Sequence, residues 1–160
     1  MALQSTTALA TITLQSAATE VSFIGIPNNY RDLVVVTSIK ATSGAEPRMR
    51  INGDTGSNYS FIQIAGDGSG TLSNTGTTTG GWLTPNVFPS TSNFDLCTVT
   101  IVDSNATDKN KLYLSRWAGA NTNALAVRWG STAAINSLTF YMTAQSFAIG
   151  STFSLYGRIA

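Results

Sequence analysis

Apolar and polar residues alternate with a period of two in several runs of this chain. In the run KLYLSRW, Leu112, Leu114 and Arg116 share one face while Tyr113, Ser115 and Trp117 share the other. In SLTFYM, Leu138, Phe140 and Met142 all point one way. That spacing sets one face of a strand on a core and leaves the other to solvent or a partner. Val, Ile, Thr, Tyr, Phe and Trp, which suit a pleated half-buried surface, come in short runs separated by turn clusters. The pattern predicts strands over 9–14, 20–24, 32–40, 48–51, 59–64, 96–102, 111–117, 125–129, 137–142 and 152–159. Helical periodicity is almost absent, and no internal repeat appears.

The turns are equally legible. Asn52-Gly53 follows a strand, and both residues tolerate positive φ. Pro27-Asn28-Asn29, Gly44-Ala45-Glu46-Pro47 and Asp103-Ser104-Asn105-Ala106 break the chain between other strands. About ten short strands, with turns every 8 to 12 residues or so, predict an all-β fold: a single-domain β-sandwich of jelly-roll type. Residues 1–8 (MALQSTTA), polar and uncharged, read as an N-terminal arm, and 9–160 as the sandwich. Residues 65–93 differ in kind. They are rich in Gly, Thr and Ser and read as one long loop carrying Trp82 and Phe88. A loop of that length in a compact domain is usually functional or ordered by something else.

Composition narrows the function. At 160 residues the chain suits one domain with a core large enough to fold without disulfides. Charged residues make up 11% of it, against about 25% in an ordinary soluble domain, while 42% remain hydrophobic. Disorder is therefore not expected. A surface of hydroxyls and amides suits a protein packed against copies of itself or a partner, or one standing in a harsh external medium. Nine basic and eight acidic residues are scattered singly, so the basic patch that nucleic-acid binding needs is missing. No run approaches the roughly 18 to 20 apolar residues of a membrane helix. The N-terminus lacks the charged and apolar regions of a signal peptide, so synthesis in a host cytoplasm without an export address is expected.

Candidate chemistry is sparse. There is no histidine, which excludes imidazole catalysis and histidine–metal sites. Cys97, the one cysteine, lies in the apolar run FDLCTVTIV and reads as a buried structural thiol. The eight acids sit mostly at strand ends and in turns, where Asp serves local hydrogen bonding. NGDTGSN (52–58) places oxygens at alternate positions, yet has no bidentate Glu and a single charge, so it reads as a turn and not a Ca²⁺ loop. GDGSG (66–70) lacks the following helix and Lys-Ser/Thr of a phosphate loop. Two sequons, at Asn58 and Asn105, have no secretory context. Neither a cofactor, a metal site nor enzyme activity is expected.

The order of longer landmarks carries a resemblance. VSFIGIPNNYRDLVVV (21–36), RMRINGDTGSNYSFIQIAGDG (48–68), VTIVDSNATDKNKLYLSRW (99–117), RWGSTAAINSLTFYM (128–142) and FAIGSTFSLYGRIA (147–160) follow one another. In that order they resemble a family of virion structural proteins of tailed bacteriophages, including those of cyanobacteria. The resemblance runs from about residue 9 to the end and is weakest over 70–95. It implies a β-sandwich module serving as a capsid decoration (cement) protein, or as part of a tail fibre or other appendage. A free-standing single domain fits decoration better: a symmetric oligomer on the virion surface, a homotrimer matching local three-fold points, bound to the major capsid protein. As an appendage module it would bind the host surface or a glycan instead.

Aromatic and apolar side chains are the candidate contacts on either reading. Trp117 and Trp129 end strands and read as core or subunit-interface residues. Trp82, Leu83, Val87 and Phe88 in the long loop would form an apolar patch if exposed together, and something must cover it: the domain's own edge, a sister subunit or the capsid.

Overall fold

Alternation becomes architecture in twelve strands. The computed structural model describes residues 5–84 and 88–159. The strands are β1 (Thr6–Thr13), β2 (Glu20–Ile24), β3 (Asp32–Ile39), β4 (Pro47–Ile51), β5 (Tyr59–Gly66), β6 (Thr71–Thr78), β7 (Gly81–Trp82), β8 (Asp95–Val102), β9 (Lys111–Ala118), β10 (Thr122–Trp129), β11 (Ser137–Met142) and β12 (Thr152–Arg158). They form an eight-stranded sheet, β1-β12-β3-β8-β9-β10-β5-β6, and a four-stranded sheet, β2-β11-β4-β7, with every pair antiparallel. No helix occurs among the described residues.

The connectivity is that of a folded ribbon. β1 pairs with β12, β2 with β11, β3 with β8 and β4 with β7, and successive pairs fall in alternate sheets. That is the jelly roll expected from the strand pattern, two four-stranded sheets made by wrapping one long antiparallel ribbon. The remaining hairpins, β5–β6 and β9–β10, attach beyond β8 and double the width of one sheet. Between the sheets lie Phe140, Phe147 and Phe153, with ring centroids 5.5 Å and 5.0 Å apart, together with Met49, Ile51, Leu33 and Leu138. Each large side chain so buried contributes roughly 1.5–3 kcal/mol.

Two boundaries need correction. The expected arm 1–8 gives its last residues to β1, which begins at Thr6 because the edge of β12 is open to pair with it; Met1–Gln4 lie outside the described residues. The expected loop 65–93 is instead partly built into the sandwich. Residues 71–78 are β6, paired along its length with β5, and Gly81-Trp82 is β7. Strand β6 leaves no mark in the sequence pattern because the small sheet does not reach far enough to cover it. Neither of its faces is buried, so TLSNTGTT has no apolar alternation to show.

The chain after β6 dives under the extension. The Tyr113 hydroxyl donates to the Trp82 carbonyl at 2.8 Å, the Ser115 hydroxyl donates to the Leu83 carbonyl at 2.7 Å, and the Asn123 amide donates to the Thr84 hydroxyl. Gly80-Gly81 makes this passage possible. A Cβ at Gly81 would collide with the Tyr113 hydroxyl, and one at Gly80 with the Tyr141 hydroxyl.

The corner NGDTGSN carries the chain from the small sheet to the large one. Asn52 and Gly53 take φ of 52° and 69°, the left-handed conformations that the Asn-Gly pair tolerates. Asp54 accepts from the Gly56 amide at 2.8 Å, the Asn58 side chain at 2.9 Å and the Trp129 indole at 2.7 Å. Its oxygens therefore face N–H donors, an arrangement that suits a turn and repels a cation. Partial burial pushes the Asp54 carboxyl up, but the donations from Trp129, Asn58 and Gly56 outweigh it and hold the group below its ordinary value of 3.8. A carboxyl depressed on folding stabilises the fold above its unfolded value, and that contribution disappears as pH falls through the folded one. Stability attributable to this corner should thus be constant above pH 5 or so. It should fall below 3.8, with Trp129 fluorescence reporting the change. Asp54→Asn should flatten that acid limb.

Candidate interaction face

The outer surface of the widened sheet carries apolar side chains that the core does not explain. Register places Thr98, Arg116, Ala124, Ile64 and Ser73 on one rung across β8, β9, β10, β5 and β6. Thr100, Leu114, Ala126, Ile62 and Thr75 form the rung on one side, and Leu96, Ala118, Thr122, Gly66 and Thr71 the rung on the other. Alternation that turns Tyr113, Trp117, Leu125 and Val127 inward turns these residues outward. Ile62 and Ile64 are 60% and 65% exposed, and Leu96, Leu112, Leu114 and Val36 are also open.

The face is concave. A depression of about 610 Å³ lies over Leu96, Ala118 and Ile64, and a second of about 270 Å³ over Leu114, Ala126 and Ile62. Arg116 stands between them and lines both, with no ion-pair or hydrogen-bond partner among the described residues. Acids sit elsewhere. Asp32 and Asp103 hold Arg31 at 3.4 Å and 3.2 Å at one end of the sandwich. Asp67 closes the β5–β6 turn, accepting from Ser69 and from the Gly70 amide, and these hydrogen bonds lower its carboxyl to about 2. GDGSG is thus a hairpin turn filled by its own carboxylate.

The sequence-derived candidates separate into two groups. Trp82 (8% exposed), Leu83, Trp117 and Trp129 are buried inside the subunit, so the domain's own edge is what covers them. They cannot present a surface patch without unfolding the passage under the extension. Trp82 packs edge-on against Phe61 at 6.3 Å and lies beneath the Arg48 guanidinium at 3.8 Å. Phe88, 54% exposed, does face outward, and Val87 lies outside the described residues. Cys97 is buried as expected, with Sγ 3.3 Å from the Ser115 hydroxyl, and burial pushes its thiol up to about 12.

Sequence reasoning missed Ile62, Ile64, Leu96 and Arg116 as surface candidates. The signal was present: YSFIQI and KLYLSRW carry apolar residues on both alternating faces. A strand apolar on both sides has a second surface to cover. No family model, curated protein or solved structure matches this chain.

Proposed function

We propose that this chain is a structural module of a tailed-phage virion: a capsid decoration protein that assembles as a symmetric oligomer, a homotrimer, and clamps the mature shell. The observation that carries the reading is the outer face of the eight-stranded sheet, where Ile62, Ile64, Leu96, Leu112 and Leu114 lie open together. Contiguous apolar surface of this kind marks an interface in a protein that stays soluble. The order of landmark segments that resembles phage virion proteins supports the same reading. Each subunit would add a modest contact, and an oligomer touching several capsid subunits multiplies it. Binding the expanded lattice alone then stabilises that lattice.

Sugar recognition by an appendage asks instead for exposed aromatic platforms; all three tryptophans are buried, which leaves Phe88 and Phe94 as the open rings. Co-sedimentation tests the choice. Purified protein should pellet with expanded capsids stripped of decoration, in a saturable ratio, and should not be retained by host cells or their polysaccharide. Retention by cells or polysaccharide, with no capsid binding, would make the chain an appendage module.

A further inference from the structure

We infer that the concave outer face receives the β2 edge of a second copy of this chain, with Glu20 of one subunit on Arg116 of the next. The contact rests on the self-assembling part of the reading above and not on the capsid. Among the eight acids, Glu20 is the one with neither an ion pair nor a hydrogen bond among the described residues. It is exposed on the outer side of β2. Arg116 is its counterpart, an unpartnered cation set in an apolar concavity.

The apolar groups match as well. Glu20, Ser22 and Ile24 share the outer side of β2, and Ile24, 82% exposed, is the most open large apolar side chain described. Arg116, Leu114 and Leu112 share the outer side of β9. Same-face side chains on any strand repeat every ~6.8 Å, so the two series superpose. Glu20 on Arg116 then brings Ser22 over Leu114 and Ile24 over Leu112. Ser22 can enter an apolar contact because its hydroxyl is already bonded to Thr139 at 2.8 Å.

Geometry dictates a head-to-tail arrangement. Strand β2 edges the small sheet beside β1, where Ile24 lines a cleft with Leu9 and Ile12. The Arg116 concavity lies over β9, β10 and β5, at the end of the sandwich where Trp82 of β7 meets Phe61 of β5. One subunit therefore cannot satisfy its own groups. A two-fold pairing of concave faces would leave Glu20, on the outer side of β2, outside the contact. Head-to-tail contacts that close make a ring, which is the symmetry a trimer needs.

Charge exchange tests the contact. Size-exclusion chromatography with light scattering should show the parent as a closed oligomer at micromolar concentration. Glu20→Arg or Arg116→Glu alone should weaken self-association at least about tenfold, by setting like charges together. The double variant E20R/R116E should restore the parent mass. Ile24→Asp should dissociate the oligomer independently, and circular dichroism should show all variants folded. A monomeric parent, single variants that keep the parent mass, or a folded double variant that stays dissociated would overturn the proposal. Capsid co-sedimentation of the same samples keeps the two ideas apart. A monomer that binds capsids overturns this contact and leaves the decoration reading standing. An oligomer that obeys the charge swap but ignores capsids does the reverse.

Discussion

Trp82→Ala should destabilise the folded chain by about 3–5 kcal/mol, the range for removing a large aromatic from a core. The ring is buried between two neighbours that its removal would leave without a packing partner. Phe61 of the wide sheet packs on one side at 6.3 Å, and the Arg48 guanidinium lies on the other at 3.8 Å. Around it the backbone is pinned by the Tyr113 and Ser115 hydroxyls and by the glycine pair that lets them approach. A held backbone keeps a cavity open, and an open cavity costs more than one that relaxes. Phe88→Ala removes a ring that is half exposed and should change stability by less than about 0.5 kcal/mol. Urea unfolding of the two variants separates the roles. An unmoved midpoint for Trp82→Ala would mean that the ring is not part of the core. Phe88→Ala is the informative variant for contacts outside the subunit, because a loss of assembly in it cannot be ascribed to a weakened fold.

The second large effect is at Lys111, which is buried like the aromatics of the core. Its ammonium donates to the carbonyls of Ala106 at 2.7 Å, Lys109 at 3.0 Å and Thr132 at 3.1 Å. The first two belong to the loop joining β8 to β9, the third to the loop after β10, so one cation ties together the loops at that end of the extension. Lys111→Met keeps the aliphatic stem and removes the charge, leaving three carbonyls without their donor. A loss of about 2 kcal/mol is expected, since a hydrogen bond to a charged group is worth about twice a neutral one, while the acceptors, on half-buried Ala106 and exposed Lys109 and Thr132, keep some access to water. Lys111→Arg should not rescue it, because a planar guanidinium cannot aim three donors as a tripod. Thermal unfolding of the three proteins checks both statements, and a Met variant as stable as the parent would show that water can replace the ammonium.

How far the sequence led differs between fold and site. All ten strands read from alternation are present, two of them, 20–24 and 137–142, with the same limits. All but β1 bury side chains on at least one face, so their patterns are written in their own residues, and β1 is held by half-buried Leu9 and Ile12. Strand β7 is two residues long, too short to carry a period, and β6 has no covered face to impose one. The tryptophans were legible as important and not as interior or exterior. A Trp in Gly80-Gly81-Trp82 looks like a loop ornament until Tyr113 and Tyr141 are seen flanking the glycines.

Local pattern sufficed for strand identity, for the jelly-roll class and for the low-charge surface, because each depends on neighbours within a few residues or on composition alone. The widened sheet is another matter. That β5–β6 docks on β10, and that the chain then passes beneath the extension, follows from pairings between residues more than fifty positions apart. Those pairings turn Trp82 and Leu83 from candidate contacts into core. They also gather Leu96, Leu114, Arg116, Ile62 and Ile64, drawn from three strands, onto one concave face. Alternation states that such side chains share a side of their own strand. Only the order of strands across the sheet sets them next to one another and leaves that side uncovered.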